Sequence, residues 1–358
     1  MLIIGCDFHP SFQQIAMLDT DTGEIRELKL AHQQQAQAFY AALQGKKVLV
    51  GIEACGYTQW FERLLTRLGQ EWRMGDAARI RAKMTRRQKT DRRDATHILD
   101  LLMKGDFPQI WVPSPAERDL RQLIVHRHKR VQIRTRVKNQ LHALALNQGL
   151  QLKRKLWTAE GRQQLEALPL GPYAAQRRQD LLAQLEEMDQ VIAQLDQAVR
   201  REAESRPEVV RLMTHPGVGP TTALAFVLTL GDVRRFPRAR EVASYLGLIP
   251  CEDSSANKQR LGHLTKQGNP LLRFLLVEAA HSAVRHDAEL KRAYYRVLHK
   301  HHPGVAKAAM ARKLSVRLYW MLRLGIDYRQ LQSVSMQASP SHSVVAVKTD
   351  RLSGQPAS

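Results

Sequence analysis

Asp91 and Asp94 lie three residues apart inside the intensely basic run Arg86-Arg87-Gln88-Lys89-Thr90-Asp91-Arg92-Arg93-Asp94-Ala95. On a helix, positions i and i+3 share a face, so both carboxylates can address one point. Carboxylate oxygens are the ligands that Mg²⁺ favours, and guanidinium groups draw in phosphate. Two further acids close apolar runs: Asp7 ends Leu2-Ile3-Ile4-Gly5-Cys6-Asp7, and Glu53 follows Lys47-Val48-Leu49-Val50-Gly51-Ile52. Open α/β sheets place ligands at such strand ends. If the four acids converge, they form a site for one or two Mg²⁺ ions that activates a nucleophile and neutralises a phosphodiester. Carboxylates alone repel phosphate, so the metal is a physical requirement of this reading. The plainer reading makes each acid a cap, a turn residue or part of a solvated, salt-bridged face.

A second concentration of polar groups is the pair Ser254-Ser255 amid Lys258, Arg260 and Lys266. A serine hydroxyl beside cations offers a nucleophile and stabilises a phosphoryl transition state, although surface loops are also simply rich in serine. Upstream, His215-Pro216-Gly217-Val218-Gly219-Pro220 predicts a tight turn opening a helix at Pro220. Amides near Gly217 and Gly219 are then available to a phosphate, as in a helix-hairpin-helix contact; a plain αα-hairpin fits the turn equally well.

The elements that must position these groups follow from pattern. Residues 2–6, Gln13–Leu18, Glu24–Leu30, Lys47–Ile52 and Glu71–Met74 read as strands, with helices over 32–44 and up to Leu68. That order predicts an α/β domain with a mixed sheet. Residues 116–146 read as a basic helix whose Arg127, Lys129, Arg130, Arg134 and Lys138 could track a nucleic-acid backbone. Leu181, Leu185, Met188, Ile192, Leu195 and Val199 repeat at alternating spacings of four and three. This fits a coiled-coil seam, or one face of a helix packed in its own domain. The polar segment after Ser333 reads as a disordered tail.

Net charge sharpens the class. The total of +21 divides into −1 over residues 1–75, +10 over 76–140, −1 over 141–232, +12 over 233–330 and +1 in the tail. Two concentrated basic blocks predict two surfaces facing polyanions, with nucleic acid the natural partner. No apolar stretch reaches 18 residues, the first residues lack signal-peptide features, and Cys6, Cys55 and Cys251 show neither disulfide nor zinc spacing. The expectation is a cytoplasmic protein without a membrane partner.

Four pieces in order then carry a resemblance. They are Ile4-Gly5-Cys6-Asp7; Gly51-Ile52-Glu53-Ala54-Cys55-Gly56; Lys89-Thr90-Asp91-Arg92-Arg93-Asp94-Ala95; and a block from Pro216-Gly217-Val218-Gly219 through Tyr245-Leu246-Gly247-Leu248-Ile249-Pro250 and Ser254-Ser255 to Thr265-Lys266-Gln267-Gly268-Asn269. Over roughly residues 1–325 the chain resembles the DEDD transposase family of bacterial insertion sequences, the bridge-RNA-guided serine recombinases. The resemblance implies an RNase H-like (RuvC-like) domain over 1–115 and a basic helix and coiled-coil spacer over 116–205. It further implies a mostly helical transposase domain over 206–330, with the tail at 331–358. It implies that Asp7, Glu53, Asp91 and Asp94 bind Mg²⁺ and that Ser255 is the nucleophile, followed here by Ala256 where the family has glycine. Arg86, Arg87, Lys89, Arg92, Arg93, Lys258, Arg260 and Lys266 join the expected nucleic-acid contacts. The implied partners are donor and target DNA, a structured guide RNA and further copies of the chain, in a bacterial nucleoid setting. The rival readings are a metal-dependent junction-resolving endonuclease with a structural serine, and a non-catalytic nucleic-acid-binding protein.

Overall fold

The structure, a computed structural model, describes residues 1–32, 34–84, 90–252 and 260–337. The chain divides into two compact units, Met1–Val112 and the residues from Pro113 onward.

The first unit is a five-stranded mixed sheet. Strands β1 (Leu2–Phe8), β2 (Phe12–Asp19), β3 (Ile25–Ala31), β4 (Val48–Glu53) and β5 (Glu71–Gly75) lie in the order β3-β2-β1-β4-β5. β2 is antiparallel to both its neighbours, while β1–β4 and β4–β5 are parallel. Successive side chains of a strand point to opposite faces. Ile4, Cys6 and Phe8 therefore join Val50 and Ile52 in a core closed by α1 (Gln34–Ala41) and α2 (Gln59–Arg67). Ile3 and Leu49 face the other way, toward Ile80 of α3 (Ala77–Ala82) and Ile98 of α4 (Asp91–Met103). β1 and β4 are buried on both faces, which is why they read as unbroken apolar runs.

The second unit is mostly helical: α5 (Pro115–Asn147), α6 (Ala159–Glu166), α7 (Pro172–Glu204), α8 (Pro207–Met213), α9 (Pro220–Leu230), α10 (Ala239–Tyr245), α11 (Pro270–Ala283), α12 (Ala288–Leu298), α13 (Pro303–Leu324) and α14 (Tyr328–Gln337). Strands β6 (Pro250–Glu252) and β7 (Leu261–Leu264) pair antiparallel between α10 and α11. Helices α5, α7, α8, α9, α11 and α13 each open on proline, whose fixed φ suits the first turn and whose missing N–H is not needed there.

The heptad-like seam of α7 is occupied within the chain. Leu181 and Leu185 pack on Val137 and Leu141 of α5, and Val199 joins Ile124 in the large helical core. The ion pairs Arg127–Asp196 (2.7 Å) and Arg134–Asp189 (3.0 Å) lace the two helices antiparallel. Because Ile124, Val199 and Ala203 share a core with α9, α11 and α13, residues 116–205 and 206–330 form one body. Helix α14 runs through Gln337, across residue 331 where the tail is expected to begin; residues 338–358 lie outside the described residues. Asp327 caps that helix by accepting from the Gln330 N–H at 2.9 Å, and Tyr328 is buried in the core.

Candidate metal centre and nucleic-acid surfaces

Two matched triplets build the centre. Ile3-x-Gly5-x-Asp7 on β1 and Leu49-x-Gly51-x-Glu53 on β4 run in register, with Ile3 opposite Leu49 and Gly5 opposite Gly51. Period two puts each triplet on the face covered by α4. The glycines let that helix lie directly on the sheet. A Cβ at Gly5 would stand 2.3 Å from Ala95 O and 2.4 Å from Leu99 N, and one at Gly51 would stand 2.6 Å from Leu102 Cδ1. The acids come two residues later, past the packed stretch. Asp7 lies inside β1 and Glu53 is the last residue of β4, rather than each following its strand.

α4 begins at this edge. Thr90 caps it by accepting the Arg93 N–H at 3.4 Å, which sets Asp91 and Asp94 in the first turn. Free N–H groups and the helix dipole favour negative charge there. Asp91 is half exposed, whereas Asp94 is buried. Arg92 turns to Glu27 of β3 at 2.6 Å, tying the start of α4 to the sheet.

His9, which the sequence reading passed over, completes the cluster. Its Nε2 lies 3.1 Å from Asp7 Oδ2 and 3.6 Å from Asp91 Oδ1. The turn that ends β1 holds the ring, through His9 N–H donating to Phe12 O at 3.0 Å and stacking on the Phe12 ring at 4.5 Å. Burial raises the Asp7 carboxyl above its usual range; His9 opposes this, and Asp94 and Asp91 add to it by repulsion. Glu53 acts on the same neighbourhood. Burial raises the Cys55 thiol and the Tyr57 phenol, and both Glu53 and Asp7 push them further.

One ligand atom each from Asp7, His9 and Asp91 lie within 4.8 Å of one another. Hard carboxylate oxygens plus an imidazole nitrogen fit a divalent cation, which would also relieve the repulsion among the acids. The structure thus brings Asp7, Asp91 and His9 into one group, with Asp94 in electrostatic reach of Asp7 and Glu53 on the adjacent strand.

The expected nucleic-acid residues divide. Arg127 and Arg134 are paired to α7, and Lys138 lies 4.8 Å over the Trp157 ring; Lys129 is exposed and Arg130 half-buried. Gly217, at φ +81°, packs against α11, where a Cβ would stand 2.5 Å from Ala283 N; Gly219 caps α9 in open space. Gly247 and Gly268, both at positive φ, bring the two sequence motifs backbone to backbone: a Cβ on Gly247 would stand 2.3 Å from Gln267 O, and one on Gly268 2.1 Å from Tyr245 O. Asn269 then caps α11, accepting from Leu271 N–H at 3.0 Å. These contacts fix the base of the β6–β7 hairpin, beside which Lys266 takes φ +54° and Arg260 is exposed. Arg86, Arg87, Lys89, Ser254, Ser255, Ala256 and Lys258 lie outside the described residues.

Acids and a histidine at the carboxyl edge of a mixed sheet, in a chain of charge +21, suit an enzyme that acts on nucleic acids. A DEDD transposase model of the IS110 type matches residues 4–148, and a model for the IS116/IS110/IS902 transposase family matches residues 209–296. A probable family 20 transposase of Pseudomonas aeruginosa is 28% identical over 330 residues, 89% of this chain and 96% of that protein. A transposase for insertion sequence element IS1111A of Coxiella burnetii is 27% identical over 288 residues, 79% of this chain and 78% of that protein. The chain belongs to the IS110-type DEDD transposases of insertion sequences and is a DNA transposase. No helix among the described residues is long and apolar enough to cross a membrane.

Proposed function

We propose that this transposase cleaves and rejoins DNA through a phosphoserine at Ser255, with Mg²⁺ held by Asp7, Glu53, Asp91 and Asp94 and assisted by His9. The observation that carries the reading is the convergence of Asp7, His9 and Asp91, with Asp94 close enough to raise Asp7. When bound, the cation supplies Lewis-acid polarisation of the phosphate and charge neutralisation. The chain's own groups do the rest. Asp7 is fixed by pairing with Gln14 of β2, Glu53 by pairing with Gly75 of β5, and Asp91 and Asp94 by a capped helix start, so the oxygens are preorganised. Ser255 Oγ attacks phosphorus; its proton leaves to solvent, the Oγ–P bond forms, and the bond to one deoxyribose oxygen breaks as that oxygen takes a proton. A deoxyribose hydroxyl from the new partner strand then attacks the phosphoserine and releases the serine hydroxyl, so joining conserves the bond and needs no ATP.

The order β3-β2-β1-β4-β5 with β2 alone reversed supports an RNase H-like (RuvC-like) reading of the first unit. The basic blocks, residues 76–140 and 233–330, support nucleic-acid binding, with guidance by a structured RNA and assembly of several copies as parts of the same proposal.

A denaturing gel of protein incubated with element-end DNA tests the chemistry. Ser255→Ala is expected to yield no covalent adduct and no strand transfer, Ser254→Ala to retain both, and Asp7→Asn to lose cleavage while still binding DNA. Full cleavage by Ser255→Ala would instead establish the water-attack endonuclease.

A further inference from the structure

We infer that the outer face of α12 binds single-stranded DNA, Tyr295 stacking on a base while Lys291, Arg292, Arg296 and Lys300 hold the flanking phosphates. The helix buries one side only: Leu290 is fully enclosed, and Ala293, Tyr294 and Val297 pack on the large helical core. At 3.6 residues per turn, Lys291, Arg292, Tyr295 and Arg296 fall within an arc of about 140° opposite Leu290. All four are exposed, Tyr295 to 57%. The half-buried Tyr294 buttresses that ring edge-on, with centroids 5.6 Å apart. Lys300, also exposed, lies in the turn that follows the helix, its N–H bonded to Val297 O at 3.1 Å.

Charge chooses the occupant. The two acids of this segment, Asp287 and Glu289, both pair with Arg317 of α13, at 2.5 Å each. Among the described residues no ion pair engages Lys291, Arg292, Arg296 or Lys300, in contrast to Arg127 and Arg134 of α5. Like charges at i and i+4 destabilise a helix, so Arg292 and Arg296 make a face that a polyanion stabilises. An exposed ring set among cations is how proteins hold unpaired strands, since stacking needs a bare base. A duplex keeps its bases paired and leaves Tyr295 no bare base to stack on. DNA is the committed strand because transposition opens and exchanges DNA.

Fluorescence anisotropy of the full chain with labelled oligo(dT), in EDTA, reads this surface without any metal-dependent step. Tyr295→Ala is expected to weaken oligo(dT) binding by about tenfold. Tyr295→Phe should keep the affinity, and duplex binding should be little changed in either variant. Arg292→Gln with Arg296→Gln should flatten the salt dependence by about 1.4 in log–log slope, or ~0.7 per phosphate contact. Circular dichroism melts confirm that these surface variants fold. The inference is overturned by unchanged oligo(dT) affinity in Tyr295→Ala, by equal losses on duplex, by a greater loss on oligo(rU) than on oligo(dT), or by polyglutamate competing as well as oligo(dT). Because no cleavage occurs in EDTA, either result leaves the phosphoserine reading to its own test.

Discussion

His9 is the residue on which the geometry of the centre turns. It stands between Asp7 on β1 and Asp91 on α4, at 3.1 and 3.6 Å, and so links the strand to the first turn of the helix. As ligand or as orienting partner, its loss has a bounded effect: groups that fix metal-binding carboxylates typically contribute 10–100-fold in metal affinity or activity. His9→Ala is therefore expected to weaken Mn²⁺ binding, read by isothermal titration calorimetry, by about 10–100-fold. Unchanged Mn²⁺ affinity would remove His9 from the centre.

At the scale of elements, the glycines of β1 and β4 set how deeply α4 seats, and hence where Asp91 and Asp94 arrive. Gly5 faces rigid helix backbone, Ala95 O and Leu99 N, whereas Gly51 faces the movable end of Leu102. Gly5→Ala must push the helix off the sheet, an overpacking cost of about 1–3 kcal/mol. Gly51→Ala should cost less, because a leucine can change rotamer. Urea midpoints and strand-cleavage rates should rank Gly5→Ala as the more damaging in both, and the reverse order would show that α4 is positioned otherwise. Asp7 and Glu53 were legible in the sequence as acids closing apolar runs with the period of two of a strand, and Asp91 and Asp94 by their i, i+3 spacing inside a basic run. His9 was not, although the same period extends to it, because it lies one residue beyond the strand. The fate of the α5 arginines was also hidden. Arg127 meets Asp196 and Arg134 meets Asp189, partners 69 and 55 residues away that no local pattern pairs. The α7 seam showed its apolar period but not its partner, because a seam reads the same whether its mate is another copy or α5.

At the scale of the whole molecule, acid stability is governed in part by a buried histidine under the turn between α8 and α9. His215 is 1% exposed, its ring against Tyr328 at 4.5 Å. Nδ1 lies 2.9 Å from Pro216 O, which as an acceptor requires the proton on that nitrogen. Nε2 has no hydrogen-bond partner among the described residues. Around it, Asp287 accepts from Arg317 and from the Tyr328 hydroxyl, which joins α12, α13 and α14. Burial lowers the His215 pKa to about 4; the Pro216 carbonyl and Asp287 oppose this, and Arg317 adds to it. Above the unfolded value of about 6.5 both states are neutral and the group contributes no pH dependence. Between about 6.5 and 4 the unfolded chain takes up a proton that the folded chain refuses, so stability falls as pH falls, by about 3 kcal/mol over the window. Asp287, whose carboxyl is held below its usual range despite burial, acts only at lower pH. His32 and His128 are also held low by burial, so the measurement must be a difference. Urea melts at pH 7 and pH 4.5 should show His215→Gln less stable at pH 7, by roughly the 1–3 kcal/mol of a disturbed buried polar group, yet losing less on acidification than the parent chain. If both lose equally, the proton taken up on unfolding belongs to another residue, and the His215 ring is already charged in the fold.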